Sequence, residues 1–178
     1  MDKQSLSDEL LMSLFVAQDD CEAFDILYRR YFNKLVTFIQ AWHRETAEDL
    51  AQESFRCIIE KRKTFDLERG TFKTWLYGIA YYKCMSAFRH LKSIHTAIAE
   101  YVRRTPQSME SMADSGLDDI LDGLEKEERA VAMLRAEGFT LSEIAVTVEQ
   151  SPSTVTRRLR SIREKLRQIP DGLPQSNS

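Results

Sequence analysis

Between Phe24 and Trp42 runs a stripe of apolar residues, Phe24, Leu27, Tyr28, Tyr31, Leu35, Phe38, Ile39 and Trp42, separated by steps of one, three and four. Those steps gather on one face of a 3.6-residue helix, whereas a strand would split them between its two sides. A second stripe follows at Ala47, Leu50, Ala51, Phe55, Ile58 and Ile59. Thr46, with Asp49 three residues on, approximates a capping box at its start. A third opens after Gly70 with Phe72, Trp75, Leu76, Ile79 and Ala80, and a shorter one surrounds Leu10, Leu11, Leu14 and Phe15. Only 6 glycines and 4 prolines occur in 178 residues, too few for a fold rich in strands and turns. The expectation is an all-α protein whose first part is a compact helical bundle.

Several classes are disfavoured. A hydrophobic fraction of 43% and a charged fraction of 30% fit a globular chain rather than a disordered one. No apolar run approaches the roughly 18–20 residues that span a membrane. The opening Met1-Asp2-Lys3-Gln4-Ser5 is polar, so neither secretion nor membrane association is expected. Cys21, Cys57 and Cys84 lie far apart, which argues against a disulfide framework and a structural zinc site, and a reducing cytoplasm is the default. His43, His90 and His95 form no HExxH pair, and neither a P-loop nor a nucleophile elbow is present. Catalysis, a metal and a cofactor are all unexpected.

Charge is distributed in blocks. Residues 1–60 carry 6 basic and 12 acidic side chains, residues 61–104 carry 10 and 3, residues 105–128 carry 1 and 8, and residues 129–178 carry 8 and 5. Blocks of this kind suit separate faces for separate partners: basic zones for an anionic polymer and an acidic zone for a cationic surface. Solvated faces would give the same pattern.

The apolar periodicity then decays. Residues 105–116 (TPQSMESMADSG) hold Pro106, Gly116 and four hydroxyl residues, with no regular stripe. This divides the chain into a first domain over 1–92, a flexible linker over 93–116 whose first part can be helical, a second helical domain over 117–169, and a frayed tail over 170–178.

Residues 140–167 read TLSEIAVTVEQSPSTVTRRLRSIREKLR. Thr140 and Glu143 form a capping box before a helix burying Ile144, Ala145 and Val148. Ser151-Pro152 supplies an N-cap with proline at the first helical position, before a helix burying Val155, Leu159, Ile162 and Leu166. Two short helices joined this way are a helix-turn-helix. Off its apolar stripe the second helix presents Ser153, Thr156, Arg157 and Arg160. Arginine forks suit guanine edges, and hydroxyls at a helix start, Ser151 among them, suit phosphates.

Three further phrases occur in order: Ala23-Phe24-Asp25-Ile26-Leu27-Tyr28-Arg29-Arg30-Tyr31, Ala47-Glu48-Asp49-Leu50-Ala51-Gln52-Glu53-Ser54-Phe55, and Phe65-Asp66-Leu67-Glu68-Arg69-Gly70-Thr71-Phe72-Lys73-Thr74-Trp75-Leu76-Tyr77-Gly78-Ile79-Ala80. With the helix-turn-helix behind them, the chain resembles a bacterial RNA polymerase sigma factor, in particular the extracytoplasmic-function (ECF) group of the sigma-70 family, over roughly residues 8–169. The resemblance implies sigma domain 2 followed by sigma domain 4. It implies binding to core RNA polymerase through its beta-prime clamp helices and beta flap, and to promoter DNA as duplex and as melted strand. It also implies an anti-sigma partner, and a chain that is monomeric when free.

Residue by residue, Glu48, Asp49, Gln52 and Glu53 match the family's docking surface for the clamp helices. The stretch from Asp66 to Ala87 matches the part that captures the melted minus-10 element. There Arg69, Lys73 and Lys83 supply cations for phosphates, and Tyr77, Tyr81, Tyr82 and Ser86 supply aromatic or polar surface for unstacked bases. Arg89 adds a further cation. Lys61-Arg62-Lys63 is a basic run suited to duplex phosphates or to solvent. Ser151, Ser153, Thr156, Arg157 and Arg160 correspond to minus-35 recognition.

Two departures stand out. Relatives commonly carry an acid where Thr46 stands, which makes Thr46 either a plain helix cap or a regulatory position where phosphorylation would restore charge. Relatives also often place glycine at Glu149 and an apolar residue at Gln150. A positive φ at Glu149 would cost on the order of 1 kcal/mol relative to glycine. Two rival readings remain: a polymerase-independent helix-turn-helix regulator, and a sigma mimic that sequesters an anti-sigma factor.

Overall fold

The computed structural model describes residues 2–102 and 124–167, with side chains throughout except at 88, 90–102 and 166. The chain divides into two compact units, Met1–Met112 and Ala113–Ser178. Among the described residues every regular element is helical.

The first unit contains α1 (Asp8–Gln18), α2 (Cys21–Gln40), α3 (Ala47–Lys61) and α4 (Phe72–Val102). Ser7 caps α1 by accepting from the Leu10 amide at 3.3 Å, and Asp20 caps α2 by accepting from the Ala23 amide at 3.1 Å. Thr71 does the same for α4, accepting from the Thr74 amide at 3.1 Å. Helix α2 lies between α1 and α3, and α4 packs across α3 and α2. The core joins Leu27, Leu35 and Phe38 of α2 to Ala51, Phe55 and Ile58 of α3 and to Phe72, Leu76 and Tyr77 of α4. Burying each large side chain contributes roughly 1.5–3 kcal/mol.

The α2 stripe is centred slightly away from the expected line. Ala23 and Ile26 are buried, while Phe24, Tyr28 and Trp42 are half-buried at its edge. Beyond α2, the buried His43 donates through Nε2 to the Cys84 carbonyl at 3.0 Å and ties the α2 exit to α4. Burial pushes the Cys84 thiol up to about 12, so it stays protonated.

Helix α4 runs to Val102, through Ser93 where the linker was expected to begin. No glycine or proline lies between Gly78 and Pro106 to stop it. The remainder of the linker, the start of the second domain at 117–123 and the tail lie outside the described residues.

The second unit contains α5 (Lys126–Ala136), α6 (Leu141–Thr147) and α7 (Pro152–Arg167). Gly138, at φ 83°, ends α5, and the Phe139 and Gly138 amides donate to the Leu134 and Arg135 carbonyls, each at 3.1 Å. Ala130, Val131, Leu134, Phe139, Ile144, Val155 and Ile162 form the core. Leu159 is half-buried, and the Leu166 side chain lies outside the described set.

Glu128 is buried against this core at 3% exposure. It accepts from Ser161 Oγ at 2.7 Å, Lys165 Nζ at 2.6 Å and the Glu125 amide at 3.0 Å, and so joins α5 to α7. Burial alone would raise its carboxyl, but those three donors and the Lys165 charge outweigh it, and the net shift is downward. A lowered folded-state value makes this contribution complete above the ordinary carboxylate range and lost as pH falls through it. Protection factors of the α5 and α7 amides, corrected for the intrinsic slowing of exchange in acid, should therefore fall on acidification below about pH 4.5. Lys165→Met should cost about 2 kcal/mol at neutral pH, discounted because Lys165 is 40% exposed, and should flatten that acid dependence.

Candidate nucleic-acid and polymerase interfaces

With Ala47, Ala51, Phe55 and Ile58 turned inward, α3 leaves Glu48, Asp49, Gln52 and Glu53 exposed. All four expected docking residues thus lie on the solvent side of one helix, and Phe55 is core. Beside them Phe24, Tyr28, Gln52, Phe55, Arg56 and Ile59 line a groove of about 360 Å³ between α2 and α3. The sequence reading placed Phe24 and Tyr28 on the apolar stripe of α2 and did not anticipate the groove. Their position at the edge of the α2 stripe was the available signal for the groove.

Thr46 occupies the N-cap of α3 but makes no side-chain cap bond, so the expected capping box is absent. Its ψ of 12° departs from the extended backbone that lets Thr140, at ψ 163°, cap α6. The hydroxyl-bearing residue is exposed.

Along α4, Tyr82 is 64% exposed and Ser86 is exposed one turn later. Arg89 lies over the Tyr82 ring, 5.9 Å from its centroid. Lys83 sits nearby, half-buried, in an ion pair of 3.3 Å with Glu53. This brings a residue expected to meet polymerase together with one expected to meet DNA. Tyr81 and Lys73 are half-buried and engaged with neighbours. Arg69 is exposed and pairs with Asp66 at 3.3 Å.

Tyr77 requires correction. It is fully buried, its ring 5.0 Å from that of Phe38, so it cannot present a face to a base. Tyr77 falls one position from Leu76 on the inward face, whereas Tyr82 lies outside it. The basic run also divides. Arg62 donates to Asp19 at 2.8 Å and covers the Phe15 ring at 5.4 Å, while Lys61 and Lys63 remain exposed.

In the second unit both capping expectations are met. Thr140 and Glu143 form the capping box, and Ser151 Oγ accepts from the Thr154 amide at 3.2 Å. Glu149 has φ 52°, and around it the Gln150 and Glu149 amides donate to the Ala145 and Val146 carbonyls at 2.9 and 3.3 Å. The α6–α7 turn is thus a Schellman closure with glutamate at the left-handed position. Ser151, Ser153, Thr156, Arg157 and Arg160 are all exposed, and Arg160 pairs loosely with Glu164 at 3.4 Å. Among the described residues no group of three or more His, Cys, Asp or Glu could hold a metal, and no helix is long and apolar enough to cross a membrane.

The first unit is thus a helical bundle with an acidic face and an aromatic-cationic face, and the second is a helix-turn-helix. Residues 27–94 match sigma-70 region 2, and residues 88–171 match ECF sigma factor. The chain belongs to the ECF sigma factors of the sigma-70 family. It is 25% identical to the ECF RNA polymerase sigma factor BldN of Streptomyces coelicolor over 164 residues, 85% of this chain and 62% of BldN. It is 29% identical to the RNA polymerase sigma factor CarQ of Myxococcus xanthus over 157 residues, 83% of this chain and 89% of CarQ. In fold it is similar to CnrH, solved with the cytosolic domain of CnrY, with a TM-score of 0.69, 21% identity, and coverage of 90% and 94% of the two chains. It is also similar in fold to the sigma factor RpoE of Bartonella quintana, solved with the anti-sigma factor NepR, with a TM-score of 0.59, 20% identity, and coverage of 82% and 94%.

The turn generates a direct stability test. Glu149→Gly removes the left-handed strain, partly offset by the freer unfolded chain, and should stabilise the second unit by about 0.5–1 kcal/mol. Slower exchange of the α6 and α7 amides would register the gain.

Proposed function

We propose that this protein binds core RNA polymerase and directs it to specific promoters, residues 1–92 acting as sigma domain 2 and residues 117–169 as sigma domain 4. The observation that carries the reading is the outward row Ser153, Thr156, Arg157 and Arg160 on the second helix of a helix-turn-helix. That row meets the minus-35 duplex. Glu48, Asp49, Gln52 and Glu53 pair with cationic side chains on the clamp helices, and the Phe24–Tyr28–Ile59 groove takes an apolar side chain from the same surface. The second unit also engages the beta flap, with residues 93–116 as the tether between domains and 170–178 as a tail.

Tyr82 and Ser86 receive bases of the melted minus-10 strand, and Arg69, Lys73, Lys83 and Arg89 accompany its phosphates, with Tyr81 at the edge. Stacking of about 1–3 kcal/mol per base offsets the cost of unstacking, so opening needs no covalent chemistry and the protein is not an enzyme. The work belongs in the bacterial cytoplasm. RpoE was solved with an anti-sigma factor, and an inhibitor of that type is proposed here for a chain otherwise monomeric when free. Thr46 is the proposed regulatory position, because added negative charge there extends the acidic α3 face.

Titration of purified core polymerase with Tyr82→Ala tests the division of labour. Binding to core should be unchanged, while open complexes, read by permanganate reactivity of unpaired thymines, should fall about tenfold. Thr46→Asp should tighten core binding in the same titration. Equal loss of core binding and opening with Tyr82→Ala would contradict the assignment, and unchanged affinity with Thr46→Asp would remove the regulatory role.

A further inference from the structure

Arg157, Arg158 and Arg160 sit together near the start of α7, and composition alone assigns all three to DNA. Their surroundings differ. Successive helix positions turn by about 100°, so Arg157 and Arg160 share a face that Arg158 leaves. Arg160 is 83% exposed and Arg158 only 21%. Arg158 Nε donates to Gln150 Oε1 at 3.0 Å, and its Nη1 lies 3.9 Å from both Glu125 and Glu127. One guanidinium therefore spans the start of α5, the α6–α7 turn and α7.

We propose that Arg158 is a positioning residue that braces the recognition helix through Gln150, Glu125 and Glu127 and makes no DNA contact. Gln150 directly follows Glu149, the residue with positive φ, so the brace seizes the turn at its least favourable backbone position. The Glu128–Ser161–Lys165 cluster fixes α7 farther along against the same helix. The two polar attachments, one turn and two turns apart on α7, set its roll as well as its distance. Lysine cannot replace Arg158, because a single ammonium lacks the divergent Nε–H and Nη–H directions that reach the turn and the acids together. The inference rests on the reading that the second unit grips promoter duplex.

Two measurements on the full chain test it. In the free protein, nitrogen-15 NMR should find the Arg158 Nε–H exchanging slowly with solvent and those of Arg157 and Arg160 exchanging fast, with Gln150→Ala abolishing the Arg158 protection. Fluorescence anisotropy with a 30-bp mixed-sequence duplex, over a range of salt concentrations, then separates contact from brace. Each phosphate contact contributes about 0.9 to the slope of log affinity against log salt. Arg157→Ala should lower that slope by about this amount. Arg158→Gln and Arg158→Lys should leave the slope intact and weaken binding about three- to tenfold, per folded molecule, so that lost stability alone would not register. Arg158→Gln combined with Gln150→Ala should weaken it no further than either alone. A slope lowered by Arg158→Gln, or Arg158 Nε–H exchange as fast as that of Arg157, would overturn the proposal. A protected Arg158 in a wild-type chain that fails to bind duplex would leave the brace standing and count against the promoter-reading function instead.

Discussion

Helix α3 can offer Glu48, Asp49, Gln52 and Glu53 to a partner because Ala47, Ala51, Phe55 and Ile58 are buried on its other side. Phe55 fixes that arrangement. Its ring meets Tyr28 at 4.8 Å and Phe24 at 6.1 Å, and rotating α3 to expose it would sacrifice aromatic packing in water. The same constraint extends to α4, where Phe72, Leu76, Tyr77, Ala80 and Cys84 face inward and Tyr82 and Ser86 face out. The acidic face and the aromatic-cationic face are consequences of one buried core, joined at the surface by the Glu53–Lys83 pair.

The second unit is smaller and depends more on polar attachments. Among the described residues its apolar core joins three helices, and Glu128 and Arg158 supply fixed links from α5 to α7. Such pairs, buried at Glu128 but exposed at Glu125 and Glu127, add limited net stability, yet they disfavour alternative registers of a short helix. Such a role suits a recognition helix, whose side chains must meet base edges at defined places.

Much of this was legible in the sequence. Periodicity located the four helices of the first unit, and hydroxyl residues with a following acid or proline located the starts of α6 and α7. The positive φ of Glu149 matches what the resemblance implied, since relatives often place glycine at that position. Periodicity could not resolve neighbours at the edge of a stripe, which is why Tyr77 was misplaced on the DNA side and why Phe24 and Tyr28 were not seen as groove walls. Thr46 had the right residue type for a cap but not the backbone angle, which the following helix alone does not dictate. Asp19, the partner of Arg62, is 43 residues away in sequence, and the acids facing Arg158, Glu125 and Glu127, stand at the start of another helix; long-range ion pairing of this kind leaves no local pattern.

The most direct test of the central claim is run-off transcription from a genomic promoter library with purified core polymerase, with and without this protein. The account predicts discrete new transcripts, dependent on the protein, whose start sites share two spaced upstream elements. Identical transcript profiles in the two reactions, with the protein demonstrably bound to core enzyme, would contradict it.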